Sequence, residues 1–451
     1  MSKNKLYNIL IFLFFIFLIL FRFNNAVDFN NFWGYDGGGH LEYLRVILEE
    51  DRLPDFSDTY IAWHEPGFYY LMAGAGKFVN FLAGENDFIN FTAKMLQLLM
   101  SFWSVAIVWL VYKISKYFSK NQNVHLASAV TAGLASVMIE TSNYLTNELL
   151  LTFFITLLLY YFITYAKQRW NAAKLFWFSI IAGLALLTKL SALILIFSVI
   201  IWMFYTAIYT RKSRWLWYAV IILAISSLIY APWAVYKQKN IGSIFSINAY
   251  EKEFHEGEMN ELNSDFFYRL NPQVFKNPFW MTSSNSFWAM IFADAFSDYY
   301  MISNNLDENN LMSDDLRLMT ESGNYVTHAK YRLSVLLLCF SLFYIFLFVG
   351  GVLGLFWQAI KKQFKPSVNL LLLIFIFGSF LAVAFNVYSF PFLERGTLKA
   401  SFILPVWLLL FIIGFSWLER VFQKFKVNFL WIPVWFIIVV WGTLSVMVNW
   451  I

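Results

Sequence analysis

The residues best suited to chemistry fall in a few short stretches. The first is 33–71, WGYDGGGHLEYLRVILEEDRLPDFSDTYIAWHEPGFYYL. Asp36 is a carboxylate able to take a proton, and His40 stands four residues on, close enough to touch it if a helix begins early. His64 is a second ring that could orient Asp36 or a substrate. Three cations lie far downstream. Lys189 sits between two apolar segments, where a charge at a membrane centre costs roughly 2.5–3.5 kcal/mol. A lysine kept at that cost usually faces a polar cavity; the plainer alternative is a side chain snorkelling to the interface. Arg395 and Lys399 stand just outside an apolar run, where anionic headgroups would also draw them. Glu148 opens another apolar run, where complementing the helix dipole is a sufficient role. Asp36 could likewise serve only as a helix N-cap. No tight His, Asp and Glu cluster recommends a metal, so no cofactor is expected and a divalent cation stays an open option.

The elements that position these groups belong to a membrane. Of 451 residues, 60% are hydrophobic and only 14% charged, against about 25% charged in soluble domains. Runs such as 7–21, the apolar centre of a longer stretch, and 332–360 mark segments able to cross a hydrocarbon core, which takes roughly 20 residues. The single Cys339 offers no disulfide framework. The net charge of +5 contains no dense basic run, so nucleic acid is not an expected partner. Lys3 and Lys5 before an apolar stretch resemble a signal peptide, but the stretch is long and no convincing cleavage site follows. It reads as an uncleaved first helix.

About eleven crossings are expected, each near the length a bilayer demands. They fall near 6–24, 91–112, 125–142, 145–165, 174–188, 190–209, 215–235, 332–358, 368–388, 400–416 and 428–448, with 174–188 and 190–209 alternatively one kinked helix. Lysine and arginine recur at every second connection, as at Lys113–Lys120, Arg211–Arg214, Lys361–Lys365 and Arg420–Lys426, and mark a cytoplasmic face that includes the N-terminus. The opposite face receives two long segments, 25–90 and 236–331, together with Glu148, Lys189 and Lys399. Leu41, Leu44, Ile47 and Leu48 give 40–52 the spacing of a helix lying in the interface, Gly67–Phe81 reads as a second, and Phe287–Tyr300 as a third. The fold class is therefore all-α and polytopic, a single domain over 1–451 whose two outer loops carry interfacial helices.

Asp36, His40, Tyr43 and the run His64-Glu65-Pro66-Gly67-Phe68-Tyr69-Tyr70 resemble, in order, motifs of the GT-C superfamily of polyprenyl-phosphate-sugar-dependent glycosyltransferases. The likeness is to the protein O-mannosyltransferases and the lipid A aminoarabinose transferases. Thr146-Asn147-Glu148, Gly183 through Thr188-Lys189, Tyr230-Ala231-Pro232-Trp233 and Arg395 through Lys399 with Pro405 match further motifs in sequence order. Gly37 replaces the family's usual second acid, and Glu65 stands where lipid A relatives carry a phosphate-contacting lysine.

The resemblance implies transfer of a sugar from a polyprenyl-phosphate donor to a hydroxyl on a glycan, lipid or protein acceptor at the extracytoplasmic face. It implies inversion, with Asp36 as general base, and Lys189, Arg395 and Lys399 on the donor phosphate. His40, Tyr43, His64, Glu65 and Glu148 are the other substrate-binding candidates. The lack of appendages leans towards a bacterial inner membrane. A transporter or a lipid-linked polysaccharide polymerase or ligase would share the polytopic plan; the former would place its charge near the midplane.

Overall fold

The computed structural model describes residues 3–32, 34–84, 87–166, 170–240, 242–244, 262–279, 286–300, 317–319, 325–391 and 398–450. The first apolar run forms α1, Lys3–Asp28, and leaves Leu10, Phe12, Leu13 and Leu20 exposed along it. Such a stripe suits lipid contact and would be a liability in water. The other long helices are α4 (Ala93–Phe118), α7 (Asn147–Tyr165), α9 (Leu193–Thr210), α10 (Arg214–Asn240), α12 (His328–Lys361), α13 (Val368–Ser389), α14 (Leu404–Phe425) and α15 (Trp431–Asn449). Nine helices among the described residues are long and apolar enough to cross a membrane. The two other expected crossings are also helical. One is the broken rod α5 (Gln122–Leu134) and α6 (Ser136–Thr141), interrupted by extended Ala135, and the other is α8 (Ala172–Thr188). Lys189 is extended (φ −165, ψ 137), so α8 and α9 are two helices and not one kinked rod.

α14 is the most enclosed span, packed against α12, α4 and α5. Its backbone approaches α12 closely because neither Gly351 nor Gly414 has a side chain. A Cβ on Gly351 would come within 2.9 Å of the Gly414 nitrogen. The helix ends sort into two sets. Gln122 donates to Asn4 Oδ1 at 3.1 Å and Trp202 to the Ser367 carbonyl at 2.8 Å at the lysine-rich end. Asn25 donates to the Asn449 carbonyl, and Asn449 to Ser136 Oγ, at the other.

At that second end lie α2 (Gly37–Glu50) and α3 (Gly67–Ala83). α2 buries His40, Leu41, Tyr43, Leu44 and Ile47, whereas α3 leaves Tyr70, Leu71, Phe78 and Phe81 exposed. One expectation needs correction. Phe287–Phe296 forms α11, but every residue of it except Trp288 is buried. A helix with nine apolar residues of ten, its one carboxylate Asp294 hydrogen-bonded, sinks into the body instead of lying on its surface. α10 runs through Pro232 to Asn240, a little beyond the expected crossing 215–235. The fold is all-α, with one small antiparallel pair, β1 (Arg317–Met319) with β2 (Tyr325–Thr327), among the described residues.

Candidate functional site

Asp36 stands at the N-terminus of α2 with φ 57, in the left-handed region that a short polar residue tolerates better than most. Its side chain makes no capping bond, so the N-cap role is not the one the structure uses. The carboxylate instead receives the Lys399 ammonium at 3.0 Å on one oxygen and the Tyr60 hydroxyl at 3.0 Å on the other. Burial pushes the Asp36 carboxyl up. The opposing charges of Lys399 and His40 outweigh burial and hold it well below the usual carboxylate range.

Lys399 lies on an extended residue before the short turn Ala400–Ile403 that leads into α14. Its ammonium sits 4.5 Å from the Tyr35 ring centre and 5.7 Å from that of Phe402. Lys189, at the break between α8 and α9, reaches the same Phe402 ring from elsewhere, at 4.7 Å. It pairs with Glu148, the second residue of α7, whose backbone N–H is capped by Thr146. Dipole complementation and an ion pair thus coexist at Glu148. The snorkelling alternative for Lys189 gives way to this pairing inside the protein.

Behind this pair of ion pairs is a ring-stacked wall. The Tyr69 hydroxyl bridges the two histidines, 2.7 Å from His40 Nδ1 and 3.2 Å from His64 Nδ1, so it donates to one ring and accepts from the other. Burial lowers His40 to about 3, against the pull of Asp36, and burial drives His64 well below its ordinary value. Both rings are therefore neutral near pH 7. Tyr43 stacks on Tyr69 with centroids 3.6 Å apart and is fully buried. It stands one layer behind the cavity lining, where its ring backs Tyr69. Glu65 is buried beside Lys237 Nζ, 3.3 Å away, and takes a longer bond from Tyr230.

Asp36, His40, His64, Glu65, Glu148, Lys189 and Lys399 all line one cavity of about 420 Å³ at the lysine-poor end of the bundle. Its far wall is apolar, with Leu190, Ile194, Val383, Phe385 and Phe390. Arg395 lies outside the described residues. Tyr60, Lys237 and Asp294 also belong to the site or its support, and no motif in the sequence marks them. Lys237 follows Pro232 by five residues, and only a helix running past that proline brings it to Glu65. Among the described residues no three His, Cys, Asp or Glu side chains are grouped to hold a metal ion. The three cavity carboxylates face lysines instead.

Residues 79–236 match the model of the dolichyl-phosphate-mannose-protein mannosyltransferase family. That segment holds Glu148 and Lys189. No curated protein matches the chain in sequence. Among solved structures, the oligosaccharyltransferase of Archaeoglobus fulgidus in its apo form is 12% identical with a TM-score of 0.56, over 97% of this chain and 55% of that one. The same archaeal enzyme, AglB, in complex with an inhibitory peptide and a dolichol-phosphate matches at 14% identity and TM-score 0.56, over 100% and 56%. ArnT from Cupriavidus metallidurans bound to undecaprenyl phosphate is 14% identical with a TM-score of 0.48, over 90% and 59%. The chain thus spans little more than half the length of these structures. Over 79–236 the chain is similar to the mannosyltransferase family, and over nearly its whole length it shares the fold of the archaeal oligosaccharyltransferase.

Proposed function

We propose that this protein is a membrane glycosyltransferase that moves a hexose or pentose from a polyprenyl-phosphate donor to an acceptor hydroxyl at the extracytoplasmic face. One observation carries the reading. Two ammoniums from distant parts of the chain, Lys189 and Lys399, converge on the ring of Phe402, each held by a carboxylate, beside an apolar wall. A lipid-linked phosphate needs that combination: cations for the phosphate and an apolar flank for the chain. A neighbour of the same fold binds a dolichol-phosphate, which supports this class of donor. The cavity also lies at one end of the bundle and not midway, which suits surface transfer better than transport.

In the reaction, the acceptor oxygen attacks the anomeric carbon while the carbon–oxygen bond to phosphate breaks, with inversion. The phosphate leaves with the bonding electrons and is stabilised by Lys189 and Lys399. Asp36 takes the hydroxyl proton. In the resting site Lys399 depresses the basicity of Asp36. A bound phosphate draws the ammonium away and returns the carboxylate to a useful basicity, so donor binding arms the base. Lysine-rich loops at the opposite end place the N-terminus in the cytoplasm, and a bacterial inner membrane fits this plan.

The test is transfer by purified protein in lipid vesicles, from a panel of radiolabelled polyprenyl-phosphate hexoses and pentoses. Lys189→Met and Lys399→Met should each lower polyprenyl-phosphate affinity by about tenfold or more, the loss of one charge-assisted contact. Absence of both turnover and polyprenyl-phosphate binding in the wild-type protein would overturn the reading.

A further inference from the structure

Asp294 does not line the cavity, yet its two oxygens tie together the segments that carry the charged pair. The Tyr35 hydroxyl donates to Oδ1 at 2.6 Å, and the Ala400 backbone N–H donates to Oδ2 at 2.5 Å. Tyr35 immediately precedes Asp36, and Ala400 immediately follows Lys399. We infer that Asp294 is a positioning residue that holds Asp36 and Lys399 in register, one carboxylate oxygen serving each. This rests on the glycosyltransferase reading for its catalytic consequence, but not for its geometry.

Three further contacts agree. The Tyr300 hydroxyl, from the same segment, donates to the Leu398 carbonyl at 2.6 Å, so the peptides on both sides of Lys399 are fixed from 294–300. The Tyr300 ring also meets the Tyr35 ring edge-on at 5.0 Å. Tyr35 in turn stacks under the Lys399 ammonium. These are long-range ties, since 259 residues separate Tyr35 from Asp294 and 106 separate Asp294 from Ala400. Nothing in local chain geometry calls for them. Burial raises the Asp294 carboxyl to about 6, against the lowering effect of both hydrogen bonds, so a carboxyl is kept here despite its surroundings. Simple satisfaction of two buried donors would be the bland account. It would not require those donors to flank the two partners of one ion pair.

The experiment compares Asp294→Ala, Asp294→Asn and Tyr35→Phe in the full-length protein in lipid, with two readouts. The first needs no turnover: acetylation of Lys399 by acetic anhydride, followed by mass spectrometry. In the wild-type protein Lys399 is shielded by Asp36 and only 7% exposed, so labelling is slow. Asp294→Ala should speed it about tenfold as the pair loosens, while Tyr35→Phe, losing one neutral hydrogen bond, gives a smaller rise. The second is the pH profile of kcat/KM, which reports the site before a phosphate draws Lys399 away from Asp36. Its acid limb should move up by about one pH unit in Asp294→Ala, because Asp36 loses its close cation, and kcat should fall by roughly 10²-fold from misplacement. Asp294→Asn, whose amide can still accept from Ala400 and donate to the Tyr35 oxygen, should restore most of both. A residue that merely stabilises the fold would lower the yield of folded protein and leave the limb and the labelling rate where they were. That outcome overturns the inference. If Asp294→Ala does not fold, Tyr35→Phe supplies the same readouts with the carboxylate intact. If the wild-type protein transfers no sugar, the proposed function fails and the labelling arm still decides the role of Asp294.

Discussion

Replacing Asp36 with asparagine should separate binding from catalysis in opposite directions. The change keeps the shape and an acceptor for Tyr60, and removes the charge that now occupies Lys399. At an N–O distance of 3.0 Å, the pair attracts by about 1.4 kcal/mol in a water-like medium and about 5.5 kcal/mol at an effective dielectric of 20. The Asp36 side chain is 35% exposed, so a value near the lower limit applies, about 1–2 kcal/mol. A phosphate that must displace Asp36 from Lys399 bears that cost; in the variant it does not. Polyprenyl phosphate should therefore bind Asp36→Asn about 5–30-fold more tightly, since each 1.4 kcal/mol is tenfold. Turnover should fall by about 10²–10⁴-fold, the usual contribution of a positioned base. Fluorescent polyprenyl-phosphate titration in nanodiscs reads the first, and radiolabelled sugar transfer the second. If the variant binds no better than wild type and turns over within threefold of it, the exchange of partners and the base role are both wrong.

Three other outcomes can be stated from the structure. Lys237→Met should destabilise the protein by about 3–5 kcal/mol, because it strands Glu65 as a buried charge, and adding Glu65→Gln should recover most of the loss in thermal melts. A Cβ on Gly67 would lie 2.6 Å from the Leu187 carbonyl oxygen, two residues before Lys189. Gly67→Ala should therefore cost about 1–3 kcal/mol and weaken polyprenyl-phosphate binding by shifting that lysine. His40 titrates near 3 in the folded protein and near 6.5 when unfolded, so the unfolded state binds the extra proton between those values. Its contribution is intact above pH 6.5 and lost as pH falls, about 2 kcal/mol by pH 5. Melting temperature should accordingly drop between pH 7 and pH 5, and His40→Gln should flatten that slope.

Much of the site was legible without coordinates because its residues are chemically out of place. Asp36, Lys189 and Lys399 are charges beside long apolar runs, and a charge at that position needs a reason. His40 and His64 were legible as candidates, though not as a pair bridged by Tyr69. Lys237 was hidden by a proline that the helix simply absorbs. Asp294 was hidden by its surroundings, FWAMIFADAFSDYY, whose aromatic character reads as a surface helix. Whether such a helix lies on the interface or is buried depends on what the neighbouring helices leave open, which no local pattern records.

By itself, the amino-acid sequence determined the membrane-crossing segments, the separation of the lysine-rich loops from the acidic ones, and which charges demanded an explanation. Hydrophobic length and loop charge are local quantities, so one chain suffices to read them. Only the tertiary structure decided who pairs with whom: Asp36 with Lys399 across 363 residues, Glu148 with Lys189, and Glu65 with Lys237. Ion pairing depends on distances of a few ångströms between helices, and those distances are set by the packing of the whole bundle.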